Sequence, residues 1–270
     1  MTNEQKRRYN RHIILEGFGE EGQRKLSEAS VMIVGAGGLG SPCALYLAAA
    51  GVGTIGIADA DTVSVSNLQR QVIHFTDDAG TPKVDSASEK MRRINPEIRV
   101  NTYNGFVTVE NAADIFSQYD FIIDCTDSFA SKYLVNDACI LQGKPFCIAG
   151  IVRYAGQLMS HIPGSACYRC LFPEPPQENQ VETCAMVGVL GSAVGTMGTL
   201  QATEAIKYIT GIGTLLTDTI LTYDALTAQF LRMDFCRDEH CPICGESPVI
   251  TELTEYSFQP CRVKAHSEKA

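Results

Sequence analysis

Short apolar runs alternate with amphipathic stretches over the first 150 residues, and this alternation predicts a doubly wound sheet. Residues 31–34 are continuously apolar, as expected of a parallel strand buried on both faces. They enter a glycine-rich turn, after which residues 39–50 read as a helix with Leu39, Cys43, Leu47 and Ala50 on one stripe. Strands are expected at 54–58, 98–103, 121–125 and 145–149, with helices at 83–94, 109–116 and 129–141 between them. The expected fold class is therefore α/β, a Rossmann-like and mostly parallel sheet. Ahead of it, residues 7–26 read as a helical arm. Its cluster of Lys6, Arg7, Arg8 and Arg11 is, on composition alone, a solvated charge run.

The pattern changes after residue 150. Residues 154–162 form a strand with no helix behind it, and Pro173-Glu174-Pro175-Pro176 excludes regular structure, so 173–183 is expected to be a mobile crossover. Residues 185–200 carry no charge but fall short of the ~20 needed to span a bilayer. They read as a buried helix in which Gly188, Gly191, Gly195 and Gly198 recur at helical spacing. Each glycine costs about 1 kcal/mol against alanine, so four in one helix predict a close neighbour: a helix, the sheet or a second subunit. Strands at 219–223 and 229–233 extend the sheet. The expected organisation is one domain over 1–245 with its arm, then a tail over 246–270 that is patterned only at 249–253 and disordered in its last ten residues. No internal repeat is visible.

A chain of 270 residues that is 45% hydrophobic can bury one large core. Its net charge of −9 excludes general nucleic-acid affinity, which needs a positive face. Eleven cysteines behind a polar start with no apolar leader point to a reducing compartment, the cytoplasm. Cys43, Cys125, Cys139 and Cys147 fall within apolar patterns and read as inert, buried thiols.

Candidate chemistry begins at Gly35, Gly37, Gly38 and Gly40. A turn of this spacing lets backbone N–H groups approach phosphate at the positive end of a helix. Asp59 lies about 20 residues further on, the spacing of a ribose-binding acid, and these features alone would point first to an NAD-dependent oxidoreductase. The run Ser66-Asn67-Leu68-Gln69-Arg70-Gln71, with Lys83 opening a helix and Asp127 beyond a strand, is not called for by a dinucleotide. It suits a triphosphate under attack, with Arg70 and Lys83 neutralising charge and Asp127 holding Mg²⁺. Singly, each is as well read as a surface cation or a helix-capping acid, and their joint placement carries the argument.

Cys167-x-x-Cys170 and Cys241-x-x-Cys244 suit tetrahedral Zn²⁺ with no open position, a structural site; a redox pair is the rival. His240 adjoins Cys241 and reads as a surface residue. Cys184 follows the proline-rich loop, where a helix N-terminus would lower its thiol pKa. Cys236, Cys261, His12, His74, His161 and His266 have no assigned role.

These motifs, with Arg8-Tyr9-Asn10-Arg11, Asp59 to Asp61, Pro82-Lys83, Asp124-Cys125-Thr126-Asp127 and the run at 201–207, resemble the ThiF/MoeB/HesA family, bacterial relatives of ubiquitin-activating enzymes. The resemblance spans about residues 8–245. It implies adenylylation of the C-terminal glycine of a ubiquitin-fold sulfur carrier ending in Gly-Gly, with ATP and Mg²⁺, in thiamine or molybdopterin biosynthesis. It implies an ATP site made by the glycine turn, Asp59 on the ribose, Asp61, Ser66, Asn67, Leu68, Gln69, Arg70, Lys83, Asp127 and Ser128. Arg11 would reach the ATP of a partner subunit in a homodimer, and Cys184 would link covalently to the carrier in some members. Residues 167–173 and 195–198 lean towards thiazole-pathway members, the tail at 247–253 towards molybdopterin or dual-use ones. No rhodanese-like domain is visible, so a separate sulfur donor is expected. A non-catalytic zinc scaffold that binds a carrier remains a further reading, and the paired cysteines weigh against a tRNA-dehydratase relative.

Overall fold

The computed structural model describes residues 1–176 and 184–256. Residues 177–183 of the crossover expected at 173–183, the last ten residues, Cys261 and His266 lie outside them. The strands are β1 (Ser30–Val34), β2 (Thr54–Asp59), β3 (Arg99–Asn104), β4 (Phe121–Asp124), β5 (Phe146–Val152), β6 (Ala155–His161), β7 (Thr219–Asp224) and β8 (Gln229–Asp234). They form one sheet in the order β3-β2-β1-β4-β5-β6-β7-β8. The first five pair in parallel and the last three are added antiparallel, as the alternation and its late change predict.

The helices are α1 (Asn3–Arg8), α2 (Asn10–Ile13), α3 (Gly19–Glu28), α4 (Gly40–Ala50), α5 (Lys83–Ile94), α6 (Ala112–Ser117), α7 (Phe129–Leu141), α8 (Tyr168–Leu171), α9 (Cys184–Val187) and α10 (Gly191–Thr210). The sheet carries them on both faces. Val31 and Ile33 of β1 join the core beneath α4, α5 and α10, while Met32 and Val34 join the one beneath α6 and α7. Successive strand residues face opposite ways, so a strand covered on both sides must be apolar throughout. That is why 31–34 show no alternation.

Two expectations need correction. The arm is three short helices rather than one. Gly17 and Gly19 adopt φ of 79° and 62°, which a continuous helix does not allow, and Tyr9 is buried with its hydroxyl accepting from Asn95 Nδ2 at 2.8 Å. The four glycines also do not share a helix. Gly188 lies past the end of α9 with φ of 80°, Gly191 begins α10, and only Gly195 and Gly198 lie within it. The close approach is real at Gly198, where an added Cβ would sit 2.3 Å from the Leu39 carbonyl oxygen and 2.6 Å from Pro42. At Gly195 nothing lies within 4 Å.

Beyond residue 245 the described chain continues against the body. Ile250 packs on the cysteine cluster, Leu253 and Tyr256 pack on the core under α7, and the Tyr256 hydroxyl reaches Asp137 at 2.5 Å. No helix among the described residues is long and apolar enough to cross a membrane.

Candidate functional site

The strand order reverses between β1 and β4, and open α/β sheets bind ligands outside the carboxyl ends of the strands at such a point. A cavity of about 800 Å³ opens there. It brings together Gly35, Gly37 and Gly38 of the turn, Asp59 at the end of β2 and Asp61 just past it, Arg70, Lys83 at the start of α5, Asp127 and Ser128 after β4, and Cys184. Residues as far apart in sequence as Gly35 and Cys184 converge because most of them end a strand or lie at the start of the helix that follows it.

The turn is held from several sides. Gly35 has φ of 101°, and a Cβ there would lie 2.9 Å from the Cys125 carbonyl oxygen at the end of β4. Gly40 is the first residue of α4, packed against the Gly35 carbonyl rather than lining the cavity. The Ala36 N–H donates to Asp59 Oδ2 at 2.8 Å, and the Asp61 N–H donates to Asp59 Oδ1 at 2.9 Å. Lys83, 5% exposed, places its ammonium 2.7 Å from Asp61 Oδ2 and 3.9 Å from Asp59 Oδ1. A phosphate entering beside Lys83 would meet a cation already desolvated, which strengthens their attraction. Arg70 donates to the Ser66 carbonyl at 3.3 Å, Asp127 is exposed at the cavity, and Ser128 caps α7 by accepting the Ser131 N–H at 3.1 Å.

Several expected members lie elsewhere. Ser66, Asn67, Leu68 and Gln69 form the adjoining turn and do not line the cavity of this chain. The Gln69 carbonyl instead abuts Gly191, where a Cβ would sit 2.3 Å away. Arg11 is exposed on α2 and likewise does not line it. Cys184 does, but its thiol is raised rather than lowered. Burial is the largest cause, Asp127 adds to it, and α9 is only four residues long. The thiol donates to the Ile151 carbonyl at 2.9 Å.

Lys132 and His74 carry no motif signal, and Gln71 closes the Ser66–Gln71 run without a role assigned to it. Lys132, 6% exposed, donates to Asp124 Oδ2 at 2.7 Å, the Thr126 carbonyl at 2.9 Å and the Ala149 carbonyl at 2.6 Å, tying the Asp127 loop to β5. Gln71, 4% exposed, lines the cavity beside Gly37, and its buried Oε1 has no hydrogen-bond partner. His74 contacts the Ala36 carbonyl from behind the turn. For Gln71 and His74 the available hint was their place just after Arg70, and for Lys132 its being the one lysine of a largely apolar helix.

Cys167, Cys170, Cys241 and Cys244 lie together with their sulfurs all within 4.8 Å of one another. Sulfur separations of 3.6 Å (167–241), 3.9 Å (167–170) and 3.4 Å (170–244) bracket the ~3.8 Å edge of a tetrahedron with metal–sulfur bonds near 2.3 Å. Backbone N–H groups of Cys167 and Asp238 approach Cys170 Sγ at 3.4 and 3.5 Å, as suits a thiolate. The four residues fit a structural metal ion. His240 is exposed beside Glu239, outside the cluster. Cys43, Cys125, Cys139 and Cys147 are buried, and burial pushes the thiols of the last three well above their ordinary pKa.

Known proteins resemble this chain over most of its length. A sulfur carrier protein adenylyltransferase of Thermus thermophilus is 45% identical over 261 residues, covering 94% of this chain and 96% of its own. The adenylyltransferase and sulfurtransferase MOCS3 of Sus scrofa is 45% identical over 251 residues, and there the match spans 92% of this chain but 55% of the relative. A crystal structure of E. coli MccB with MccA-N7isoASN superposes with a TM-score of 0.78 at 24% identity, covering 90% of this chain and 76% of that one, and so shares the fold. The ThiF family model matches residues 9–243, a span that takes in the glycine turn, the cation pair and three of the four clustered cysteines. The chain belongs to the ThiF family.

Proposed function

We propose that this chain is an ATP-dependent adenylyltransferase acting on the C-terminal glycine of a ubiquitin-fold sulfur carrier. The observation that carries this reading is the convergence of Gly35, Gly37, Asp59, Arg70, Lys83 and Asp127 on one cavity. The turn and Asp59 alone would serve a dinucleotide. Arg70, Lys83 and Asp127 are what a triphosphate requires. The activity of the Thermus thermophilus relative, a sulfur carrier protein adenylyltransferase, supports the same reading.

The carrier's carboxylate attacks the α-phosphorus of ATP, the α–β bridging bond breaks, and pyrophosphate leaves. The product acyl-adenylate turns a poor acceptor for sulfur into a good one, because its oxygen now departs as AMP. Such a step needs alignment and charge neutralisation more than a protein base. Asp59 holds the ribose and the turn's backbone N–H groups face the phosphates. Arg70 and Lys83 stabilise the charge that moves onto pyrophosphate, and Asn67 contributes from the adjoining turn. Asp127 is the carboxylate that would hold Mg²⁺, which when bound neutralises phosphate charge. Cys167, Cys170, Cys241 and Cys244 would hold zinc, which when bound would tie 167–170 to 241–244. In a homodimer Arg11 serves the partner's site, and Cys184, which lines the cavity, is the residue that would link to the carrier. The sulfur donor is a separate desulfurase or rhodanese-type protein, and the pathway is thiamine or molybdopterin biosynthesis.

Exchange of labelled pyrophosphate into ATP tests the reaction. It should depend on a carrier ending in Gly-Gly, and comparing thiazole-type with molybdopterin-type carriers assigns the pathway. Exchange with neither carrier type refutes the reading.

A further inference from the structure

Behind the nucleotide-binding turn, the buried face of α5 presents Lys83, Ser86 and Lys90, spaced three and four residues apart as one helix face requires. His74, 4% exposed, sits between this face and the turn. Its Nε2 is 2.9 Å from the Ala36 carbonyl oxygen and its Nδ1 is 2.8 Å from Ser86 Oγ. Ser86 Oγ in turn lies 2.9 Å from Asp78 Oδ2. The protons can be counted along this line. A carbonyl only accepts, so Nε2 carries a proton. The two remaining gaps, Nδ1 to Oγ and Oγ to Oδ2, each need one, and the hydroxyl has a single proton to give. Burial works against the Asp78 carboxylate, yet hydrogen bonds from Lys90 (2.6 Å), the Phe75 N–H (2.7 Å) and Ser86 hold its pKa below the ordinary value. Asp78 is therefore ionised, and the missing proton belongs on Nδ1.

We propose that His74 is a positioning residue for the nucleotide-binding turn, held as an imidazolium between the Ala36 carbonyl and the Ser86-bridged Asp78 carboxylate. Burial of His74 opposes the charge, and so does Lys83, while Asp78 and Asp59 favour it. Those influences alone would lower its pKa; the proton shortage along the Ser86 bridge reverses that direction, because a neutral ring would leave two acceptors facing each other in a buried gap.

The consequence for the site follows from peptide geometry. In a trans peptide the N–H points opposite the carbonyl, so fixing the Ala36 carbonyl towards His74 aims the Gly37 N–H the other way, into the cavity that Gly37 lines. Asp59 holds the preceding peptide through the Ala36 N–H. The two anchors set the direction of the turn's donors. This deepens the nucleotide reading of the same cavity and rests on it for its effect on catalysis, whereas the protonation state does not.

Nitrogen-15 NMR of the full chain reads the ring directly, with the His74 signals identified by their loss in His74→Gln. Both ring nitrogens should be protonated at pH 7, and the ring should deprotonate at lower pH in Ser86→Ala, where the bridge is cut. An unprotonated Nδ1 at pH 7 in the wild type, or an unchanged titration in Ser86→Ala, overturns the proposal. In pyrophosphate exchange Ser86→Ala should raise KM for ATP by roughly fivefold, about the loss of one hydrogen bond, with kcat within about twofold. A fall in kcat at unchanged KM would contradict the positioning role. If no exchange activity exists at all, the adenylylation reading fails while the NMR result still decides the state of His74.

Discussion

Lys83 shows how one residue type at one position decides between chemistries. A dinucleotide needs no cation there, and a helix-starting lysine is ordinarily exposed, yet this ammonium is buried beside Asp59 and Asp61. Lys83→Ala should lower kcat/KM for exchange by roughly a hundredfold or more, the usual loss when a preorganised charge-stabilising group is removed. The same variant should keep a cooperative unfolding transition. His161 makes a prediction about stability. It is buried against Phe146, its Nδ1 faces the Ala166 carbonyl at 3.1 Å, and burial holds its pKa below the ordinary value. The native state therefore prefers the neutral ring. Its contribution is fully present above the unfolded-state pKa of about 6.5 and is lost as pH falls below that. Urea unfolding of wild type and His161→Phe should show the wild-type advantage narrowing by up to ~1.4 kcal/mol per pH unit below 6.5; a constant difference contradicts it. Glycines and a strand-end aspartate were readable because their spacing is local. Lys132 and His74 were not, because among their partners are backbone carbonyls, at Thr126, Ala149 and Ala36, and a carbonyl leaves no mark in the residue types.

Elements were legible where burial has a single period. The helix expected at 83–94 is α5, Lys83–Ile94, and the one expected at 129–141 is α7, Phe129–Leu141. The strands of the parallel half agree to within a few residues. Boundaries failed where glycine carries two meanings. Gly188 ends a short helix through a positive φ, while Gly198 lets α10 cross the start of α4, and a bare repeat of glycines looks the same in both cases. The distinction can be measured. Gly198→Ala should destabilise by about 1–3 kcal/mol because its Cβ would overlap the Leu39 carbonyl. Gly195→Ala fills open space in a helix interior and should stabilise by about 0.5–1 kcal/mol. Equal effects at the two positions would contradict the packing described for α10.

Across the whole molecule, the cysteine cluster joins segments on either side of α10 and of strands β7 and β8. By the chain-entropy model for cross-links, closing a loop of about 70 residues is worth on the order of 4 kcal/mol. Cys244→Ser should lower bound zinc and stability together, and full zinc occupancy in that variant would refute the assignment. The cysteine cluster joins the two ends of this half of the chain, and the cavity opens apart from it, where the strand order reverses. That the cavity loads a protein carboxylate with AMP is the claim on which the functional account turns. The most direct measurement is pyrophosphate exchange into ATP with and without a Gly-Gly-ending carrier, in wild type and Asp127→Ala. The account predicts carrier-dependent exchange that falls sharply in Asp127→Ala; exchange that ignores the carrier, or tighter binding of a nicotinamide dinucleotide than of ATP with no exchange, would contradict it.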